Sequence, residues 1–218
     1  DLRATNPPTN APLLAALGED FAAHGYDIKH LIRTIATSYV YGLSSVPVER
    51  NIVDTRNYSR HYRRRLRAET LLDSVCQITG VPEKFAAMPT GSSAREIWTH
   101  RIESLFLDSF GRPDPNQDPP CERVAEPTVV QVLHLMNSEG VYAKVSHDSG
   151  TAAALAASEL TPAQIVESLY LSVYSRFPDE EELNIGVSLY DTEGADRRMV
   201  TEDLLWSILN TPEFVFKD

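Results

Sequence analysis

Apolar residues in this chain return mostly every three or four positions, and residues that cap helices stand between the periodic stretches. Asn10 and Pro12 precede Leu13, Leu14, Leu17 and Phe21, which predicts a helix ended by a left-handed residue at Gly25. Asp27 then stands as N-cap to "IKHLIRTIATSYVYG", where Ile28, Leu31, Ile32 and Ile35 form one stripe before Gly42 closes it. Two short amphipathic helices so close together predict an antiparallel hairpin.

Between Ser44 and about Ser59 the periodicity is lost, and a long helix is predicted from Arg63 or earlier to Thr79, stopped by Gly80 and Pro82. The stretch "EKFAAMPTGSSAREIW" has no period and is expected to run over the surface, whereas "IESLFLDSFG" reads as a short buried helix. Five prolines between Arg112 and Pro127 exclude a regular element there and mark a strap or boundary. Beyond it Val129, Val132, Leu133 and Met136 share a helical face, and "GTAAALAAS" makes another helix. Thr161 as N-cap, Pro162 at the first helical position and Gln164 as capping-box partner start the next one. Pro178 breaks the following turn, a helix begins after Asp179, and a last one carries Val200, Leu204, Leu205, Ile208 and Leu209 until Pro212 terminates it. No stretch alternates as a strand does. The expected fold is all-α, an irregular multi-helix bundle with long Pro-rich connecting loops: a helical part over residues 1–111, a strap over 112–127, and a second helical part over 128–218.

Composition adds limits. Hydrophobic residues at 42% and charged ones at 23% are those of an ordinary globular protein, and no apolar run reaches the ~18 residues that a membrane span needs. A formal net charge of -11 speaks against nucleic acid and anionic membranes as partners. The chain opens without Met or a leader pattern, which reads as a mature product or, the favoured reading, as a piece of something longer. Whether Cys76 and Cys121 pair is open at this level.

Catalytic and metal-binding patterns are sparse. The six histidines include no His-x-x-x-His or His-Glu-x-x-His pair, so no metal site is expected, and no Cys-x-x-Cys-His occurs to attach haem. Nucleophile elbow, phosphate loop and dinucleotide fingerprint are also missing from the sequence. The acids from Asp179 to Glu182 suit the positive end of a helix. Arg123, between Glu122 and Glu126, reads as a loop fastener, and with Glu126, His134 and Asn137 forms the weak set of catalytic candidates.

The basic run is more distinctive. Placed on a helix, Arg56, Arg60, Arg63, Arg64 and Arg67 fall on one face with Tyr58 and Tyr62 beside it. Such a face suits sulfate, phosphate or carboxylate groups, with the rings available for stacking on sugars. The alternative is that these guanidinium groups meet the chain's surplus carboxylates across a domain contact. In the second half of the run, Leu66, Leu71 and Val75 are expected to be buried while Arg65 and Glu69 fasten the helix.

Several phrases together, "DLRATNPPTNAPLLAAL", "DIKHLIRTIATSYVYGLSS", "RRRLRAETLLDSVCQITG", "FGRPD", "CERVAEPTVVQVLHLMNS" and "LYLSVYSRFPDEEE", resemble the C-terminal planctomycete-type domain of unknown function numbered fifteen-fifty-three. The resemblance implies a large exported protein, periplasmic or at the cell surface, with sister domains and haem c only in an upstream domain. The opening resembles an internal point of the family domain. From Thr161 onward the chain also resembles short bacterial helical modules of exported and adhesive proteins. No catalytic residues are carried over with either resemblance.

Two readings follow. One is a non-catalytic helical binding or scaffolding domain that contacts sister domains or anionic, sulfated polysaccharide. The other is part of a redox or polysaccharide-modifying enzyme whose site is completed by upstream domains.

Overall fold

The capping residues legible in the sequence begin helices in the structure. In the first of them, α1 (Ala11–Ala23), Asn10 Oδ1 accepts the Leu13 amide at 3.0 Å. Asp27 opens α2 (Ile28–Ala36) by accepting the amides of Lys29 and His30. The structure, a computed structural model, describes residues 5, 7–54, 56–99, 101–113, 131 and 135–217. It divides into two compact units, Asp1–Arg63 with Asp218, and Arg64–Lys217.

In the first unit α1 and α2 pack together across a turn in which Gly25 and Tyr26 both take left-handed backbone, φ +65° and +63°. Glycine adopts that conformation without a Cβ clash; Tyr26 is held there with its ring edge-on to Phe21 at 5.5 Å. The helix predicted to run on to Gly42 stops at Ala36 instead. Thr37 Oγ1 donates to the Arg33 carbonyl at 2.8 Å and Ser38 Oγ to that of Ile35 at 2.7 Å, local bonds that compete with helix continuation. The stripe of Ile28, Ile32 and Ile35 is exposed, and none of the unit's described residues is buried.

The second unit starts with β1 (Arg64–Arg65), antiparallel to β2 (Phe216–Lys217). The helix predicted from Arg63 begins only at Ala68: α3 spans Ala68–Thr79, ended by Gly80 in the left-handed conformation. Residues 64 and 65 are committed to the ladder with the far end of the chain, which removes them from any helix. Further helices are α4 (Leu105–Ser109), α5 (Glu139–Val145), α6 (Thr151–Ala157), α7 (Pro162–Tyr174), α8 (Glu180–Ser188), α9 (Arg197–Leu209) and α10 (Pro212–Val215). A 3-10 turn over Ala94–Glu96 sits in the stretch expected to wander, which packs on α3 and buries Ala94. Thr161 and Gln164 form the expected capping box of α7, and Asp179 and Glu182 form one at α8. Pro212 stands at the start of α10 rather than at the end of α9.

One core joins these elements. It contains Leu71, Leu72 and Val75 of α3, Phe106 and Leu107 of α4, Ile165, Val166 and Leu169 of α7, and Leu204, Leu205, Ile208 and Leu209 of α9. Helix α9 touches α5, α6, α7 and α10, while α3 touches α4, α5 and α6. Residues on either side of the Pro-rich strap therefore share this core; from residue 114 onward the strap itself lies outside the described residues.

The half-buried Arg197 and the buried Lys144 are tied to main-chain carbonyls. Arg197 bonds the carbonyls of Ala156, Ser158 and Leu160 where α6 ends, and Lys144 Nζ reaches those of Val81 and Pro82 at 3.3 and 3.2 Å. Arg176 is half-exposed and clamps two helix starts: it makes bidentate contacts to Glu182 and to Glu213 at 2.7–2.9 Å, over the rings of Tyr170 and Tyr174. The Arg176 hydrogen bond, foremost, holds the Glu182 carboxyl below the usual glutamate range. Its contribution is present above the unfolded glutamate value of about 4.3 and is lost as pH falls through the lower folded value. Arg176→Met is expected to lose about 1–2 kcal/mol at pH 7, after discounting for solvent, and less at pH 3. Urea titrations of both proteins at the two pH values check this; an equal loss at both would remove the ion pairs as its cause.

Candidate functional site

The structure does not set the five arginines on one helical face. Arg56, Arg60 and Arg63 belong to the first unit, Arg64 and Arg67 to the second. Around Arg56 the chain is a loop organised by Asp54, whose carboxylate accepts the amides of Arg56, Asn57 and Ser59 and the Ser59 hydroxyl. That hydroxyl first, then the amides of Arg56 and Asn57, hold the Asp54 carboxyl well below the usual carboxylate range. Tyr58 has φ +54°, outside any right-handed helix, and its amide donates to the Tyr62 hydroxyl at 3.0 Å.

Each arginine of the run has its own setting. Arg60 is half-buried, donates to the carbonyls of Ser45 and His61, and lies 5.3 Å from the Tyr62 ring centroid. Arg56, Arg63 and Arg64 are exposed. Arg65 is the fastener foreseen: Nη2 donates to the Phe110 carbonyl at 2.8 Å, Nη1 to that of Leu66, and the guanidinium covers the Phe110 ring. Leu71 and Val75 are fully buried and Leu66 packs against the core.

Arg67 is the member of the run that reaches a concave site. A cleft of about 390 Å³ lies at the start of α3, lined by Arg67, Glu69, Thr70, Arg95, Leu107 and Arg112 among others. Arg67 is the N-cap of α3 and makes no side-chain cap bond. A guanidinium has only donors, so it cannot accept the first amides as Asp or Ser would, and the positive end of the helix adds to its charge.

Two further arginines come from outside the run. Arg95, exposed, donates Nε to Asp73 Oδ2 at 2.9 Å; Asp73 also accepts the Ala94 amide, which fixes the 3-10 turn against α3. Arg112 has a buried side chain: Nε donates to Asp108 Oδ1 at 2.8 Å and Nη1 to the Ile102 carbonyl at 2.6 Å. Its Nη2 lies 2.6 Å from the same Asp108 oxygen without the alignment of a hydrogen bond. Arg112 follows the turn at Gly111, φ +81°, and stands in the phrase "FGRPD" noted in the sequence. Arg95 falls in an aperiodic stretch, where spacing gives no signal of its role.

Such a site can hold an anion and offers little for covalent chemistry. Cys76, a free thiol near the C-terminal end of α3, is half-buried, and burial raises it above the usual thiol range, opposite to the shift a nucleophile needs. Of the weak catalytic candidates, Asn137 is exposed just before Ser138, the N-cap of α5. Arg123, Glu126 and His134 lie outside the described residues, as does Cys121. Among the described residues, no helix is long and apolar enough to cross a membrane.

No curated protein and no solved structure matches the chain. A family model does, over residues 1–190, and it carries the description "Protein of unknown function (DUF1553)" with the short name PSD1. That match takes in the first unit, the cleft at α3 and the helices through α8, and the chain belongs to this family.

Proposed function

We propose that the chain is a non-catalytic helical binding domain that holds an anionic partner at the start of α3, with sulfated polysaccharide as the ligand class. The observation that carries the reading is that Arg67 and Arg95 face one cleft at an uncapped helix N-terminus, with the buried Arg112, paired with Asp108, in its wall. Arginine's planar fork suits sulfate and carboxylate oxygens, and a helix start favours negative charge. Glu69 on the same wall would repel a second anion near the first, which favours spaced groups along a chain over a densely charged polymer. This agrees with the expectation against nucleic acid.

The cellular setting is part of the proposal and rests on the family resemblance: an exported, cytochrome-linked planctomycete protein, periplasmic or at the cell surface. Sister domains of the same polypeptide are the other partners, and haem c belongs to an upstream segment.

The test is retention of the 218-residue chain on an immobilised sulfated glycan at low salt. Arg67→Glu combined with Arg95→Glu should weaken binding about tenfold or more, whereas Arg56→Glu, an equal charge change per site in the first unit, should leave most of it. No retention of the parent chain, or an equal loss in both variants, would remove the cleft as the binding site.

A further inference from the structure

The α1–α2 hairpin brings together three potential metal ligands that no helical His pair announced. Asp20 lies four residues before His24, so both project from one face at the end of α1. The left-handed turn at Gly25 and Tyr26 reverses the chain and returns His30, the third residue of α2, to the same spot. His30 Nε2 is 2.8 Å from Asp20 Oδ2, and His24 Nδ1 is 3.3 Å from Asp20 Oδ1 and 2.8 Å from the Asp20 carbonyl oxygen. One ligand atom from each of the three residues lies within 4.8 Å of the other two.

We infer that Asp20, His24 and His30 form a zinc-class divalent metal site that clips α1 to α2. Two imidazoles and one carboxylate are a borderline-soft set suited to zinc and its first-row neighbours, and unlike the all-oxygen sets that calcium and magnesium take. With bonds of 2.0–2.2 Å, ligand atoms around a tetrahedral ion stand roughly 3.3 Å apart. His24 and His30 approach different oxygens of the Asp20 carboxylate, at 3.3 and 2.8 Å, so the first pair already has that spacing, the hydrogen-bonded second pair must open by a few tenths of an ångström, and the carboxylate binds the ion through both oxygens or turns to present one. The rings of His24 and His30 are stacked, with centroids 3.7 Å apart and planes 18° from parallel, so both cannot aim at one ion as they stand. The His24 side chain, 49% exposed, has room to turn from the Asp20 carbonyl toward the ion, and solvent supplies the fourth ligand.

A second observation points the same way. The first unit has two packed helices and a long loop, but none of its described residues is buried. Domains below about 70 residues rarely hold together on so little core, and a metal clip between two helices is one of the usual remedies.

Titration of the metal-free chain with zinc alone, by calorimetry or against a chromogenic indicator, should show one equivalent bound and a rise in the melting temperature of the first unit. His24→Ala and His30→Ala should each weaken binding about tenfold or more, while His147→Ala, in the second unit, should leave it unchanged. Asp20→Asn keeps the side-chain shape and serves where an alanine variant loses its helical circular dichroism; it too should lower the affinity. Cobalt in place of zinc should give ligand-field bands that vanish in His30→Ala. No saturable binding, or binding that His24→Ala and Asp20→Asn leave intact, would overturn the assignment.

Discussion

Replacing Leu205 by alanine is expected to lower the free energy of unfolding of residues 64–217 by about 2–5 kcal/mol. Leu205 is completely buried at the middle of α9, and α9 is the helix that touches α5, α6, α7 and α10 at once. A void there opens onto several elements held by other contacts, so collapse around it is limited and the cost belongs in the upper part of that range. Leu205→Met, nearly equal in volume, should cost less than about 1.5 kcal/mol. Urea denaturation followed by circular dichroism measures both. A Leu205→Ala loss below ~1 kcal/mol would mean that α9 is not the centre of the core.

The second large effect is steric. Gly186 is buried in α8, and a Cβ built there would lie 2.8 and 3.0 Å from the two methyl groups of Val166 on α7. The helices meet at this point because one of them presents no side chain. Gly186→Leu should force them apart at a cost of about 1–3 kcal/mol or more, although glycine is itself about 1 kcal/mol worse than alanine in a helix. Val166 is β-branched and cannot swing away. Gly186→Ala should therefore cost less in a Val166→Ala background than alone, with a coupling of about 1 kcal/mol in a double-mutant cycle. Strict additivity of the two changes would show that the helices do not meet there.

Local chemistry was legible in the residues, and pairing between distant residues was not. Asn10, Asp27, Thr161 with Gln164, and Asp179 begin helices because a cap is decided by a side chain and the next three amides. The basic run misled because its helical reading counted charges. The apolar residues that need burial start at Leu66, and Arg64 and Arg65 are held by partners some 150 residues onward, which no spacing rule reveals. Only Arg67 of that run lines the cleft at α3; Arg95 and Arg112 arrive there through the 3-10 turn and the end of α4. The stripe Ile28, Ile32 and Ile35 has helical spacing but no burial, since periodicity says which residues share a face and not what covers it. Asp20 and His24 were visible as an i, i+4 pair, yet a search for paired histidines passes over a carboxylate, and His30 joins them only through the turn.

The ladder between β1 and β2 also has a mechanical meaning. Arg64 lies opposite Lys217, so the chain enters and leaves the second unit at neighbouring points. Tension applied along the chain on either side would peel this short ladder open one bond pair at a time, as a zipper opens, and α3 to α10 would bear no load until it had parted. The helical core takes load only after this ladder has parted, and so does the cleft beside α3.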